Sequence, residues 1–191
     1  MPAQGDTKLI QTNGGCATAD GRTGDPFKDF ELDLRRVDSE EARAYIQRGR
    51  ESTYRLIDLL YRTDWQYEKK VEGVKLYSLK PMDEPRSYLR LETKFANISV
   101  SELVEYFTSI DKRMAWEGNM FESIEQLRAY PMSTTIFYGK LAQKWHSGAK
   151  DCLMLAHGVS IKGDRYYLSS MSVEHADFPP QKKVARISLA V

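Results

Sequence analysis

Cysteine, histidine and net charge are all scarce in this chain, and each scarcity closes off a class of function. Only Cys16 and Cys152 carry thiols among 191 residues. One lies in a polar N-terminal stretch and the other in an alternating apolar one, so neither a disulfide framework nor a thiolate metal site is expected. His146, His157 and His175 are scattered and form no helical His-x-x-x-His pair, which argues against a metal or other cofactor. With 28 basic side chains against 27 acidic ones, no global field exists to draw the chain onto nucleic acid or an anionic bilayer. Any membrane contact is therefore expected to be local and transient. Long apolar runs are missing too: a bilayer span needs roughly 20 residues, and the amino terminus lacks the basic-then-apolar layout of a signal peptide. The expectation is a soluble, cytoplasmic protein, peripheral to membranes at most. Asn97-Ile98-Ser99 has the form of a glycosylation acceptor, but so short a pattern arises by chance.

What is present fits one domain with a tail. Residues from Met1 to about Gly24 are rich in Gly, Thr, Asp and Gln, with too little apolar surface to offset chain ordering. Asp25 to Val37 reads as a transition, so 1–37 is expected to be disordered or loosely docked, and 38–191 to form the domain. Asp38 or Ser39, followed by Glu40-Glu41, reads as a helix N-cap with acids matched to the helix dipole. Ala42, Tyr45, Ile46, Gly49, Thr53, Leu56, Ile57 and Leu60 then recur at three- and four-residue steps, which predicts an amphipathic helix ending near Tyr61. Beyond Asp64 the period changes to two. Trp65 to Glu72 and Val74 to Lys80 alternate around Gly73, a hairpin signature, and Tyr88 to Phe95 continue as a third strand. Ser99 with Glu102 is a capping-box pattern ahead of a short helix, and a second short helix is expected over Asp111 to Trp116. Phe121 to Leu127, Thr134 to Ala142, Asp151 to Ser160, Arg165 to Val173 and Val184 to Val191 supply later strands, with Gly163-Asp164 as a turn. The pattern predicts an α+β fold in which one curved antiparallel sheet wraps something.

A string of spaced residues carries more than periodicity. Asp111, Arg113, Trp116 and Glu117 are followed by Trp145, Lys150-Asp151, Ser172-Val173-Glu174-His175, Pro179-Pro180 and Arg186. In order and spacing, from about Ser39 to the last residue, the chain resembles the START (steroidogenic acute regulatory protein-related lipid transfer) family. Trp65-Gln66, Gly73-Val74, Tyr77 and the helix Ser99 to Phe107 extend the likeness, especially toward ceramide-transfer-type members. The resemblance implies a helix-grip fold, with a curved antiparallel sheet, an N-terminal helix and two short helices. It also implies that the usual closing strands and long C-terminal lid helix lie beyond Val191, leaving the domain C-terminally incomplete.

The same resemblance implies a non-enzymatic carrier or sensor of one hydrophobic lipid (sterol, phospholipid or ceramide-like), exchanged at membranes. Glu117 falls where ceramide-transferring members carry a headgroup-recognising glutamate. Gly139 and Ser170 fall where those members carry a glutamine and an asparagine, and Lys150 replaces the arginine usual before Asp151, keeping the charge without the planar fork. If strand alternation holds, Lys150, Cys152 and Met154 share a face, as do Thr135, Phe137, Gly139 and Leu141 on the strand before. That face is expected to line the cavity. The lipid-binding candidates are accordingly Glu117, Phe137, Gly139, Lys150, Cys152, Met154 and Ser170. The loop Ala142 to Ala149, with Trp145 and His146 at its tip, corresponds to a membrane-contacting loop over the pocket mouth.

Other readings stay open. Asp111 and Arg113 can pair locally with Trp116 buried beside them, and Glu117 can be solvated at a helix end. Ser172, His175 and Asp151 invite a hydrolase reading, but no Gly-x-Ser-x-Gly elbow accompanies them, so no catalytic residue is expected. The alternative to a carrier is a truncated interaction module whose open groove accepts a protein segment.

Overall fold

The computed structural model describes residues 30–82, 85, 87–143, 148–161 and 165–188. The predicted N-terminal tail before 30, the Trp145-His146 loop tip, the Gly163-Asp164 turn and Val191 lie outside the described residues. Two compact units divide the chain, Met1–Arg36 and Val37–Val191. In the first, α1 (Phe30–Arg35) is helical where the sequence suggested only an irregular transition. Six residues are too short a run for a helical period to register. An Arg36–Asp33 ion pair at 3.6 Å sits at its end.

The second unit begins with α2 (Glu40–Tyr61), capped as expected: the Ser39 hydroxyl accepts the Ala42 N–H at 3.2 Å, with Glu40 and Glu41 in the first turn. Its buried stripe is Ala42, Ile46, Gly49, Ser52, Thr53 and Ile57. The Thr53 hydroxyl returns to the Gly49 carbonyl at 3.1 Å and meets the Ser169 hydroxyl at 2.8 Å, pinning the helix to a strand.

β1 (Gln66–Val71), β2 (Val74–Leu79) and β3 (Tyr88–Glu92) form an antiparallel three-stranded sheet. The β1–β2 turn places Glu72 at φ 49° and Gly73 at φ 86°, the doubly left-handed turn that matches strand twist and favours glycine. Two short helices follow, α3 (Val100–Thr108) and α4 (Ile110–Glu117). The Ser99–Glu102 capping box opens α3, and Ser109 both ends α3 and caps α4.

β4 (Phe121–Tyr130), β5 (Thr134–Leu141), β6 (Lys150–Ile161) and β7 (Arg165–Ser172) form an antiparallel sheet in sequence order. β8 (Ala185–Arg186) joins it in parallel beside Lys150 and Asp151. The strand predicted over Val184 to Val191 is thus reduced, among the described residues, to this pair. The expectation of a single sheet is also corrected, because the described strands form two sheets. α3 and α4 separate β3 from β4 along the chain, and local alternation carries no information on which edges meet.

Alternation does sort the core. Ile136, Leu153, Leu155 and Val173 face one side of the larger sheet, with Tyr45 of α2 packed against them. Phe121, Ile124, Phe137, Cys152 and Met154 face the other, against Ile110 and Met114 of α4. Full burial of a large apolar side chain contributes roughly 1.5–3 kcal/mol, so each layer holds its helix to the sheet.

Candidate functional site

On the α4 side, cross-strand register places Phe137 opposite Met154, Gly139 opposite Cys152 and Ala156 opposite Ser170. The strand-borne candidates therefore share one face, and the structure gives them different surroundings. Phe137, Cys152 and Met154 are buried in the layer beneath α4. Burial pushes the Cys152 thiol up. Gly139 leaves room for an aromatic ring, since a Cβ there would stand 2.8 Å from Cε1 of Phe121. Ser170 is half-buried nearer the β7 edge. Its neighbour Ser169 points to the opposite face and bonds Thr53.

Glu117 and Lys150 are brought together at one end of this face. They line a cavity of about 440 Å³ with Trp116, Asn119, Met120, Leu141, Ala142 and Gly148. Helix geometry explains the state of Glu117. Arg113 lies one turn earlier, and its Nε and Nη2 reach Glu117 Oε2 at 2.9 and 2.8 Å. The two side chains are 16% and 13% exposed, so Glu117 is not a solvated helix-end acid. Arg113 pairs with Glu117 rather than with Asp111, correcting the local pairing considered from sequence. The expected burial of Trp116 is corrected as well: its ring is 50% exposed, edge-on to Phe107 at 5.6 Å, with its N–H donating to the Tyr106 carbonyl at 3.2 Å. The i,i+4 spacing of Arg113 and Glu117 was a usable signal for that pair. Met120 and Asn119, in the turn after α4, carried none.

A second cavity, of about 580 Å³, lies between α3 and β7, lined by Val100, Leu103, Val104, Phe107 and residues 165–168. No α3 residue is fully buried, although its apolar side chains are turned to this hollow.

Behind Lys150 sits a buried ion pair. Asp151 is fully buried; Arg186 Nε donates to its Oδ1 at 2.5 Å, and Arg186 Nη2 and the Tyr138 hydroxyl both reach Oδ2 at 3.1 Å. Burial and the Asp151 carboxylate together push the Tyr138 hydroxyl up. Both Asp151 oxygens are thus occupied by structural partners. His175 is likewise engaged at both nitrogens, by the Asp177 N–H and by Glu41, at 3.2 Å each, and it stacks on Tyr45. Among the described residues no cluster of three or more His, Cys, Asp or Glu side chains is placed to hold a metal. None of the described helices is long and apolar enough to cross a membrane.

An N-terminal helix on one face of a curved antiparallel sheet, with two short helices on the other, defines a helix-grip architecture. The START domain family model matches residues 64–190, and the chain belongs to that family. Among solved structures it is similar to the human StAR-related lipid transfer protein 5, with a TM-score of 0.65 at 14% identity, covering 75% of this chain and 69% of that one. Human STARD10 gives a TM-score of 0.63 at 16% identity, covering 72% of this chain and 56% of that one. A StAR-related lipid transfer protein from Xanthomonas axonopodis gives 0.55 at 18% identity, covering 64% and 67%. The chain therefore spans little more than half the length of the STARD10 chain. No curated protein matches it.

Proposed function

We propose that this chain is a non-catalytic lipid-binding module that holds one hydrophobic lipid on the α4 side of the larger sheet and exchanges it at membranes. The observation that carries the reading is the cavity of about 440 Å³, within the roughly 300–1,000 Å³ typical of small-molecule sites, where Leu141, Met120 and Trp116 meet one acid and one base. Solved proteins named for lipid transfer share the fold, which supports the class without naming the lipid. In this reading Lys150 meets the head, Glu117 lines the pocket with its charge held by Arg113, and Gly139 and Ser170 belong to the sheet face that carries Phe137, Cys152 and Met154. Trp145 and His146 are proposed to touch the membrane. Affinity comes chiefly from apolar burial at about 25 cal/mol per Å². The test is mass spectrometry of lipid extracted from the purified chain: one lipid class in near-stoichiometric yield is expected, and a lipid-free protein that takes up none from vesicles sinks the proposal.

The exposed side of α3 supports a second reading. Val100 and Phe107 are 44% and 41% exposed over the larger hollow, as suits a groove that accepts a protein segment. A stoichiometric protein partner isolated without lipid favours this module over the carrier.

A further inference from the structure

We infer that the cavity beside α4 selects an amphiphile with an anionic head, and that Lys150 is the residue that selects it. The inference rests on the lipid-binding reading above and names the ligand class for the same site.

Charge balance at the cavity wall decides which head is accepted. Two ionised side chains line the cavity, Glu117 and Lys150. Glu117 brings its own counter-ion: Arg113 holds it through two contacts below 3 Å, with both side chains largely withdrawn from water. A carboxylate so paired is neutralised and has little reason to give up that partner for a ligand hydroxyl or amide. Lys150 differs. It is exposed, and among the described residues it has no carboxylate within ion-pair distance, since the adjacent Asp151 is occupied by Arg186 on the opposite face of the strand. One positive charge is therefore left over at the wall of an apolar pocket.

Apolar side chains beside Lys150 supply the place for a chain. Leu141 ends β5 next to it and Ala142 follows, and Met120 and the Trp116 ring, 58% and 50% exposed, stand on the other wall. The Trp116 N–H is already spent on Tyr106, so this ring offers the ligand apolar surface rather than a donor. A hydrocarbon chain against these side chains, with a carboxylate or phosphate at its end against the ammonium, uses both features. A neutral head leaves the ammonium to water alone. A lysine suits either oxyanion, because its ammonium is a point charge without the planar geometry that would favour one of them.

The test compares three probes sharing one acyl chain: oleate, oleoyl lysophosphatidate and mono-oleoylglycerol. Binding to the full chain is followed by tryptophan fluorescence and checked by equilibrium dialysis. Both anionic probes should bind at least about tenfold tighter than the neutral one, the scale of one charge-assisted hydrogen bond. Lys150→Met should erase that preference, and Lys150→Arg should keep it. Whichever anion binds tighter identifies the head as carboxylate or phosphate, and both orders support the inference. Glu117→Gln adds a second readout, because removing the acid leaves Arg113 and Lys150 both unbalanced and should strengthen anion binding. Equal affinity for the three probes, or a preference that survives Lys150→Met with the far-UV spectrum unchanged, overturns the inference while the lipid reading stands. Saturable binding of none of them removes the lipid reading itself.

Discussion

Asp151 and Arg186 show how a single residue's surroundings decide its role. Burying a carboxylate is costly unless its charge is answered nearby, and Arg186 answers that of Asp151 through two of its nitrogens. Arg186→Gln should therefore destabilise the fold by about 3 kcal/mol or more, the penalty for an unpaired buried charge. Urea denaturation measures this, and adding Asp151→Asn should recover part of the loss. His157 sets a different dependence. Burial pushes its imidazole from the ordinary value of 6.5 down to about 4, and the Thr134 hydroxyl meets Nδ1 at 2.8 Å. The fold thus prefers the neutral ring. Its contribution is complete above about pH 6.5 and is lost as the pH falls toward 4, because the unfolded chain then binds the extra proton. Urea midpoints should drop from about pH 7 to about pH 5, less steeply in His157→Gln. Glu41 is held below its usual value by hydrogen bonds from Tyr130 and His175, despite an opposing effect of burial. Its contribution, present above 4.5, is lost at lower pH, so it begins to fail only where the loss from His157 is nearly complete.

At the scale of elements, two opposed effects meet at Gly49 in the middle of α2. Glycine in a helix interior is about 1 kcal/mol worse than alanine. A Cβ here, however, would stand 2.7 Å from the Cβ of His157, pressing the helix off β6. Overpacking of that kind costs about 1–3 kcal/mol, so Gly49→Ala should lower stability despite the better propensity. The periodic sequence put Gly49 on the buried stripe without saying why a glycine stood there. The caps at Ser39 and Ser99, the hairpin at Gly73 and the positions of β4 to β7 were likewise legible, because caps, turns and alternation are written in neighbouring residues. The exposure of Trp116 was not, because it depends on what covers α3 and α4 from elsewhere in the chain. That the ring beside Gly139 belongs to Phe121 was not legible either, because a register shift between Phe121 and Ser123 interrupts the alternation there.

For the whole molecule, the lipid proposal has a thermodynamic signature. A ligand bound by the native state alone at 100 times its Kd stabilises it by about 2.7 kcal/mol, equivalent to roughly 5–10 °C in Tm for a chain of this size. Oleate at saturation should raise the melting temperature by that amount in a calorimetric scan. An unchanged Tm at saturating oleate counts against the ligand class.

Local chemistry alone determined α2 to α4, most of the strands, their apolar faces and the ordered string of residues that marks the family, since each depends on residues a few positions apart. Tertiary structure decided which edges pair, that the Arg113–Glu117 pair is largely withdrawn from water, and that Lys150 stands at an apolar wall with no carboxylate in reach among the described residues. Those outcomes depend on distances between residues far apart in the chain, and neither spacing nor composition encodes such distances.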